Sequence, residues 1–309
     1  MAMLPRAARP AMAALNSAAR AGFHSSAAQA APLREIEQRV KSVRNIEKIT
    51  KSMKMIASTK LSKAQRAMAA AKAYGQANNE IFTNSETVAP EGGRQLFVVV
   101  SSDKGLCGGI HSSVTKRTKA EFKKLGEKLG EKLGEDASQA PAVVVLGEKS
   151  KAQLGRALPT NLALSFNQIG KDVPTFADAT AIADQIIKSG IKFDKVNLIY
   201  NKYVSALSFE SDVLEVFSED ALRNAPQFKL YEQEDDVTRD LAEFAFANAI
   251  YAALVEGHAS EINSRRNAMD NASKNAGDMI SSLNMLYNRG RQASITNDLV
   301  DIITGASAL

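Results

Sequence analysis

The sequence predicts an α/β protein in which a long antiparallel coiled coil of N- and C-terminal helices flanks a Rossmann-like open α/β domain. Three observations predict it. Apolar residues recur every three or four positions over a long stretch at each end, Pro is missing from both stretches between Pro32 and Pro90 and after Pro226, and the middle alternates short β-branched runs with helical ones. With 309 residues, 45% hydrophobic and 24% charged, the chain has enough apolar material for a sizeable core. No Trp and only 6% aromatics suit long helices better than a many-stranded sandwich.

Residues 1–32 carry Arg6, Arg9 and Arg20 in an Ala-rich run with Ser and no acid, the composition of a mitochondrial transit peptide. Removing those three Arg lowers the formal charge from +5 to +2, so most of the basic excess belongs to targeting. From Leu33 the positions Ile36, Val40, Val43, Ile46, Ile49, Met53 and Ile56 mark one helix stripe. The N-terminal helical region is expected over 33–88, and a helix from Leu33 to about Glu86 would be about 80 Å long.

Pro90, Gly92 and Gly93 break that helix and open the α/β region, 89–231. Strands are expected at Leu96–Val100, Ala142–Leu146, Leu162–Asn167, Val196–Asn201 and Asp212–Val216, and helices at Ser112–Leu125, Lys149–Leu154 and Phe176–Ser189. The Leu-Gly-Glu-Lys repeat at Leu125–Glu135 reads as a solvated extension of a helix end. The last region, 232–309, holds a helix from near Thr238, about 100 Å long if unbroken, with Leu241, Tyr251, Val255, Ile262, Met269, Leu283, Ile295, Leu299 and Ile302 along its stripe. Two such helices bury their stripes most economically against each other. The polar stretch Asn263 to Asn271 is too hydrophilic for a core, and something outside the chain is expected to surround it.

Several function classes drop out. One cysteine, Cys107, makes no internal disulfide, and His24, His111 and His258 stand far apart without a Cys/His cluster, so no metal ligand is assigned. The longest uncharged apolar runs are strand-length, so membrane association is peripheral rather than spanning. The Gly-rich turn Ser101-Ser-Asp-Lys-Gly-Leu-Cys-Gly-Gly109 lies where phosphates bind in nucleotide enzymes, yet it satisfies neither the dinucleotide nor the Walker pattern and reads as a tight strand-to-helix connection. No cofactor and no catalytic residue is assigned. Lys48, Lys51, Lys54, Lys60, Lys63, Arg66 and Lys72 follow one another with no acid between, making a cationic rod suited to an acidic protein surface. Aromatics are not interleaved among them, which disfavours nucleic acid.

Four blocks carry a resemblance: Arg44–Lys60, Ser101–Ser113, Ser264–Gly277 and Arg291–Ala306. In order and over nearly the whole chain from Leu33, they resemble the gamma-subunit family of mitochondrial ATP synthases. The resemblance implies a non-catalytic rotor shaft, matrix-facing and peripheral to the inner membrane. Its implied partners are alpha and beta subunits around the coiled coil, delta and epsilon stalk subunits and the c-ring at the α/β base. It further implies that Arg291, Gln292 and Thr296 contact the catch loop of beta, and that Met53 and Lys54 lie near its acidic lever. Asp298 stands where the family usually has Glu, and a chain with one Cys lacks the paired-cysteine switch of plastid relatives. A nucleotide-binding α/β enzyme with helical arms and a self-associating coiled-coil scaffold are the alternatives. Pairing within one chain, rather than a homo-oligomer, is expected because the two stripes differ in length and polarity. The loop Tyr203–Leu207 is the expected ring contact.

Overall fold

The computed structural model describes residues 33–88, 93–130, 141–232 and 235–308. The proposed leader and the second half of the Leu125–Glu135 repeat lie outside these residues. Two compact units are formed, one of Lys41–Ser281 and one of the chain's start with Ser282–Leu309.

In the larger unit, five strands make one sheet: β1 (Gln95–Val100), β2 (Ala142–Leu146), β3 (Leu162–Phe166), β4 (Lys195–Tyr203) and β5 (Phe209–Phe217), in the order β3-β2-β1-β4-β5. The first four are mutually parallel, and β5 returns antiparallel to β4 as a hairpin. Strand β1 shows why its sequence is apolar throughout. Leu96, Val98 and Val100 face one core while Phe97 and Val99 face another, as the two-residue period of a strand with both sides covered requires.

Helices α2 (Ile110–Gly130) and α3 (Glu148–Ala157) cover the second face, through Val114 and Leu154. Helix α4 (Phe176–Lys188) covers the first with Ala179, Ile182, Ala183 and Ile186, and Thr175 and Asp178 form a reciprocal capping box at its start. A short α5 (Glu219–Arg223), capped by Ser218, and a 3₁₀ turn at Phe228–Leu230 close the domain.

The terminal helices are α1 (Leu33–Asn84) and α6 (Thr238–Ser307), the latter started by the Asp236 carboxylate, which accepts from Thr238 Oγ1 at 2.8 Å. Within the larger unit they run antiparallel. Asn78 donates to Ala245 O, Asn248 donates to Tyr74 O, and Lys54 Nζ pairs with Asp270 Oδ1, so positions advance on one helix as they recede on the other. Ala57, Leu61 and Ala64 meet Ala259 and Ile262 between them. The small side chains permit close approach: a Cβ on Gly75 would stand 2.9 Å from that of Ala252. In the smaller unit, a Cβ on Gly290 would lie 3.1 Å from Leu33 Cδ2.

Candidate functional site: the exposed helix faces and the sealed crevice

Arg291, Gln292 and Thr296 lie on α6 in the smaller unit, all exposed. Gln292 and Thr296 are one turn apart on one face, where Thr296 Oγ1 donates to Gln292 O at 2.9 Å. Around them α6 presents a row of large apolar side chains to solvent, Ile295, Leu299, Val300, Ile302 and Ile303, with Ile302 67% exposed. Of these, Ile295, Leu299 and Ile302 belong to the expected coiled-coil stripe. They keep the helical period but find no cover among the described residues.

Met53 and Lys54 lie on α1 in the larger unit, both half-buried. Lys54 is already engaged: Asp270 accepts from it at 2.6 Å and from Lys274 at 3.1 Å, and those hydrogen bonds hold the Asp270 carboxyl below the usual carboxylate range. Close by, Lys48, Lys51, Met55 and Ile56 are exposed, so this stretch of α1 offers cations and apolar surface together.

The polar stretch of α6 is surrounded by the chain itself, which corrects the expectation of an outside partner there. Ser264 Oγ donates to Cys107 O at 2.6 Å and Arg265 Nε to Gly105 O at 3.2 Å. Asn263 donates to Ser205 O at 3.2 Å, and Asn267 and Arg266 donate to Ala206 O at 2.9 and 3.2 Å. Polar side chains on a buried helix face thus serve carbonyls that two turns leave unpaired. The expected ring-contact loop is one of these turns. Its backbone is tied to α6 while Leu207 is left 87% exposed.

The Gly-rich turn is structural. Ser101 Oγ donates to Leu146 O, and Asp103 Oδ1 accepts from Glu148 N at 2.7 Å, capping α3. Ligands in open α/β sheets sit outside the carboxyl ends of the strands where the strand order reverses, here between β1 and β4. That crevice is filled by α6: Leu254, Gly257, His258 and Glu261 line it together with Ser102, His111 and Asn201, leaving about 20 Å³. Small-molecule sites need roughly 300–1,000 Å³. The crevice that α6 leaves is well below that range.

Folding also gathers what the sequence held apart. Cys107, His111 and Glu261 bring their polar atoms within 4.8 Å of one another, and His258 lines the same crevice as His111 and Glu261. His111 Nε2, Cys107 Sγ and Glu261 are engaged with protein partners, while His111 Nδ1 is not. His111 Nε2 lies 3.0 Å from Lys104 O and 3.1 Å from Cys107 Sγ, Glu261 is ion-paired with Arg265, and burial with the nearby Glu261 charge pushes the Cys107 thiol up to about 11. A protonated buried thiol is a poor nucleophile. No local motif could have revealed the cluster. A usable signal was the polar run Glu261–Arg265 inside an Ala-rich helix.

An α/β base whose switch-point crevice is filled by its own C-terminal helix, carrying paired helices with exposed cationic and apolar faces, defines the class of stalk-like α/β proteins with long terminal helices. A match to the ATP synthase family runs over residues 32–309. The mitochondrial ATP synthase gamma subunit of Yarrowia lipolytica is 54% identical over 301 residues, covering 96% of this chain and 100% of that one. The rat mitochondrial F(1) complex gamma subunit is 40% identical over 281 residues, covering 90% and 100%. A central stalk/c-ring structure of Tetrahymena thermophila mitochondrial ATP synthase matches with TM-score 0.55 and 30% identity over 73% of this chain and 99% of that chain. A Euglena gracilis chain from an OSCP/F1/c-ring structure shares the fold, with TM-score 0.67 at 17% identity over 89% and 94%. The chain belongs to the gamma-subunit family of mitochondrial ATP synthases, the non-catalytic central-stalk subunits of that enzyme.

Proposed function

We propose that this chain is the rotor shaft between a proton-driven membrane ring and the catalytic alpha/beta hexamer. The observation that carries the reading is the uncovered row on α6 from Ile295 to Ile303, which keeps a helix period with nothing among the described residues against it. A ring of alpha and beta subunits supplies the missing cover. As the asymmetric pair of helices turns, each beta subunit meets a different face and passes through states of different nucleotide affinity. Proton flow then drives ATP synthesis, and hydrolysis runs the same cycle backwards.

Arg291, Gln292 and Thr296 are assigned to the beta catch loop, and Met53 with Lys54 to its acidic lever. Lys54 reaches such an acid only by exchange with Asp270, while Lys48 and Lys51 make no ion pair among the described residues. Exposed ion pairs contribute about 0–1 kcal/mol. Contacts this shallow suit a part that must leave every position it enters. The α/β domain, with the Tyr203–Leu207 loop, is assigned to the ring and the delta and epsilon stalk subunits. Among the described residues no helix is long and apolar enough to cross a membrane, which agrees with peripheral attachment on the matrix side of the inner membrane.

The test is co-purification from mitochondrial membranes with a tag inserted near Glu135. Two large ATPase-type subunits in threefold excess over the tagged chain are expected, with proton-coupled hydrolysis lowered about tenfold, about 1.4 kcal/mol, when Arg291 and Gln292 are both replaced by Ala. Recovery of the tagged chain alone, binding nucleotide, would overturn the reading.

A further inference from the structure

The crevice between β1 and β4 contains groups that the shaft reading does not use. His111, Asn201, His258 and Glu261 line it, and His111 Nδ1, Asn201 Oδ1 and His258 Nδ1 are buried without hydrogen-bond partners. Lys104 O can only accept, so the proton of neutral His111 sits on Nε2 and its Nδ1 presents a bare lone pair. The remaining 20 Å³ is room for about one water molecule. Three elements meet there. Ser260 Oγ donates to Asn201 O on β4 at 3.0 Å, Ser264 and Arg265 hold the turn after β1, and Glu261 ties Arg265 from one turn away on α6.

A proton added to either imidazole would arrive in a buried crevice among mixed charges, where the Glu261 carboxylate favours it and the cations around it oppose it. The charged groups acting on the pair are Glu261 and Arg265 of α6, Lys60 of α1, Lys104 of the Gly-rich turn and Lys149 of α3, with the neutral Cys107 thiol beside His111. The Glu261 carboxylate is held by Arg265, and Lys60 is itself paired with Asp172. Burial, the largest cause, keeps both imidazoles below their ordinary 6.5.

We propose that this cluster is a proton-sensitive joint: with His111 and His258 neutral, α6 is keyed into the α/β domain, and a proton on either ring loosens the key at Ser260, Ser264 and Arg265. Its consequence for torque rests on the shaft reading, because this is where α6 meets the domain assigned to the ring. The sign follows from linkage. Imidazoles that protonate less readily folded than unfolded leave stability complete above the ordinary value of 6.5, and stability declines as pH falls from there toward the folded value.

The assembled complex in sealed vesicles tests this by the ratio of protons pumped to ATP hydrolysed, followed from mildly alkaline to mildly acid pH. The wild-type ratio is expected to fall on the acid side, and His111→Asn with His258→Asn, which cannot take a proton, to flatten that fall. An acid fall equally steep in the double variant, or none in the wild type, overturns the proposal. Failure of the shaft reading looks different: pumping would then be independent of this chain at every pH. Should the double variant not assemble, thermal unfolding of the full chain carrying His258→Gln decides. Its acid limb should lose up to one proton's worth of slope, and an unchanged slope overturns the joint.

Discussion

Gly147 stands at φ 98° between β2 and α3, and a Cβ there would lie 2.6 Å from the backbone N and Cα of Ser102. Both the dihedral and the contact forbid a side chain. Gly147→Ala is expected to destabilise the chain by about 1–3 kcal/mol, read as a lower urea midpoint, because it displaces the turn that keys α6. Cys107 gives a second test at this scale. A thiol moved from 9.0 to about 11 holds about a hundredfold less thiolate near neutral pH, so iodoacetamide should modify the folded chain about a hundredfold more slowly than the unfolded one. Equal rates would mean that the thiol is neither buried nor paired as described. Residue-level roles were the least legible in the sequence. Asp103 as the cap of α3 and the gathering of His111 with His258 depend on tertiary placement, which spacing along the chain does not encode.

At the level of elements, legibility followed period and length. The apolar stripe from Leu33 and the uninterrupted run after Thr238 define α1 and α6 nearly to the residue, because many turns repeat one signal. All five strands were legible as β-branched or alternating runs, although β5 begins three residues before the expected Asp212, where hairpin pairing with β4 adds order that propensity alone does not. The short α5 was not expected. Its five residues span little more than one turn and show no period. The polar stretch of α6 departs from expectation for a different reason: hydrophilicity along a helix points to solvent or a partner, whereas here carbonyls of the chain's own turns consume it. Close packing of α1 on α6 gives this scale its prediction. Gly75→Leu, aimed at Ala252, should cost about 1–3 kcal/mol by overpacking, seen as earlier thermal loss of helical circular dichroism, while Gly75→Ala partly offsets its clash by higher helix propensity.

For the molecule as a whole, the uncovered end of α6 makes the isolated chain incomplete. It should bind a hydrophobic dye and associate with itself as concentration rises, and Ile295→Ser with Leu299→Ser and Ile302→Ser should lower both by several-fold without changing helical content. Dye binding unaffected by the triple change would place the sticky surface elsewhere. The pairing of α1 with α6 also sets an order of events. Lys54 and Asp270 are 216 residues apart in the chain, with a complete α/β domain between them. Local and sheet contacts can form before that loop closes, but the helix pair cannot. The helix nearest the start of the described chain is therefore among the last to be housed, and amides of α1 are expected to gain exchange protection after those of β1 and β4 during refolding. Until that loop closes, the apolar stripe of α1 stays open to any other surface the chain meets.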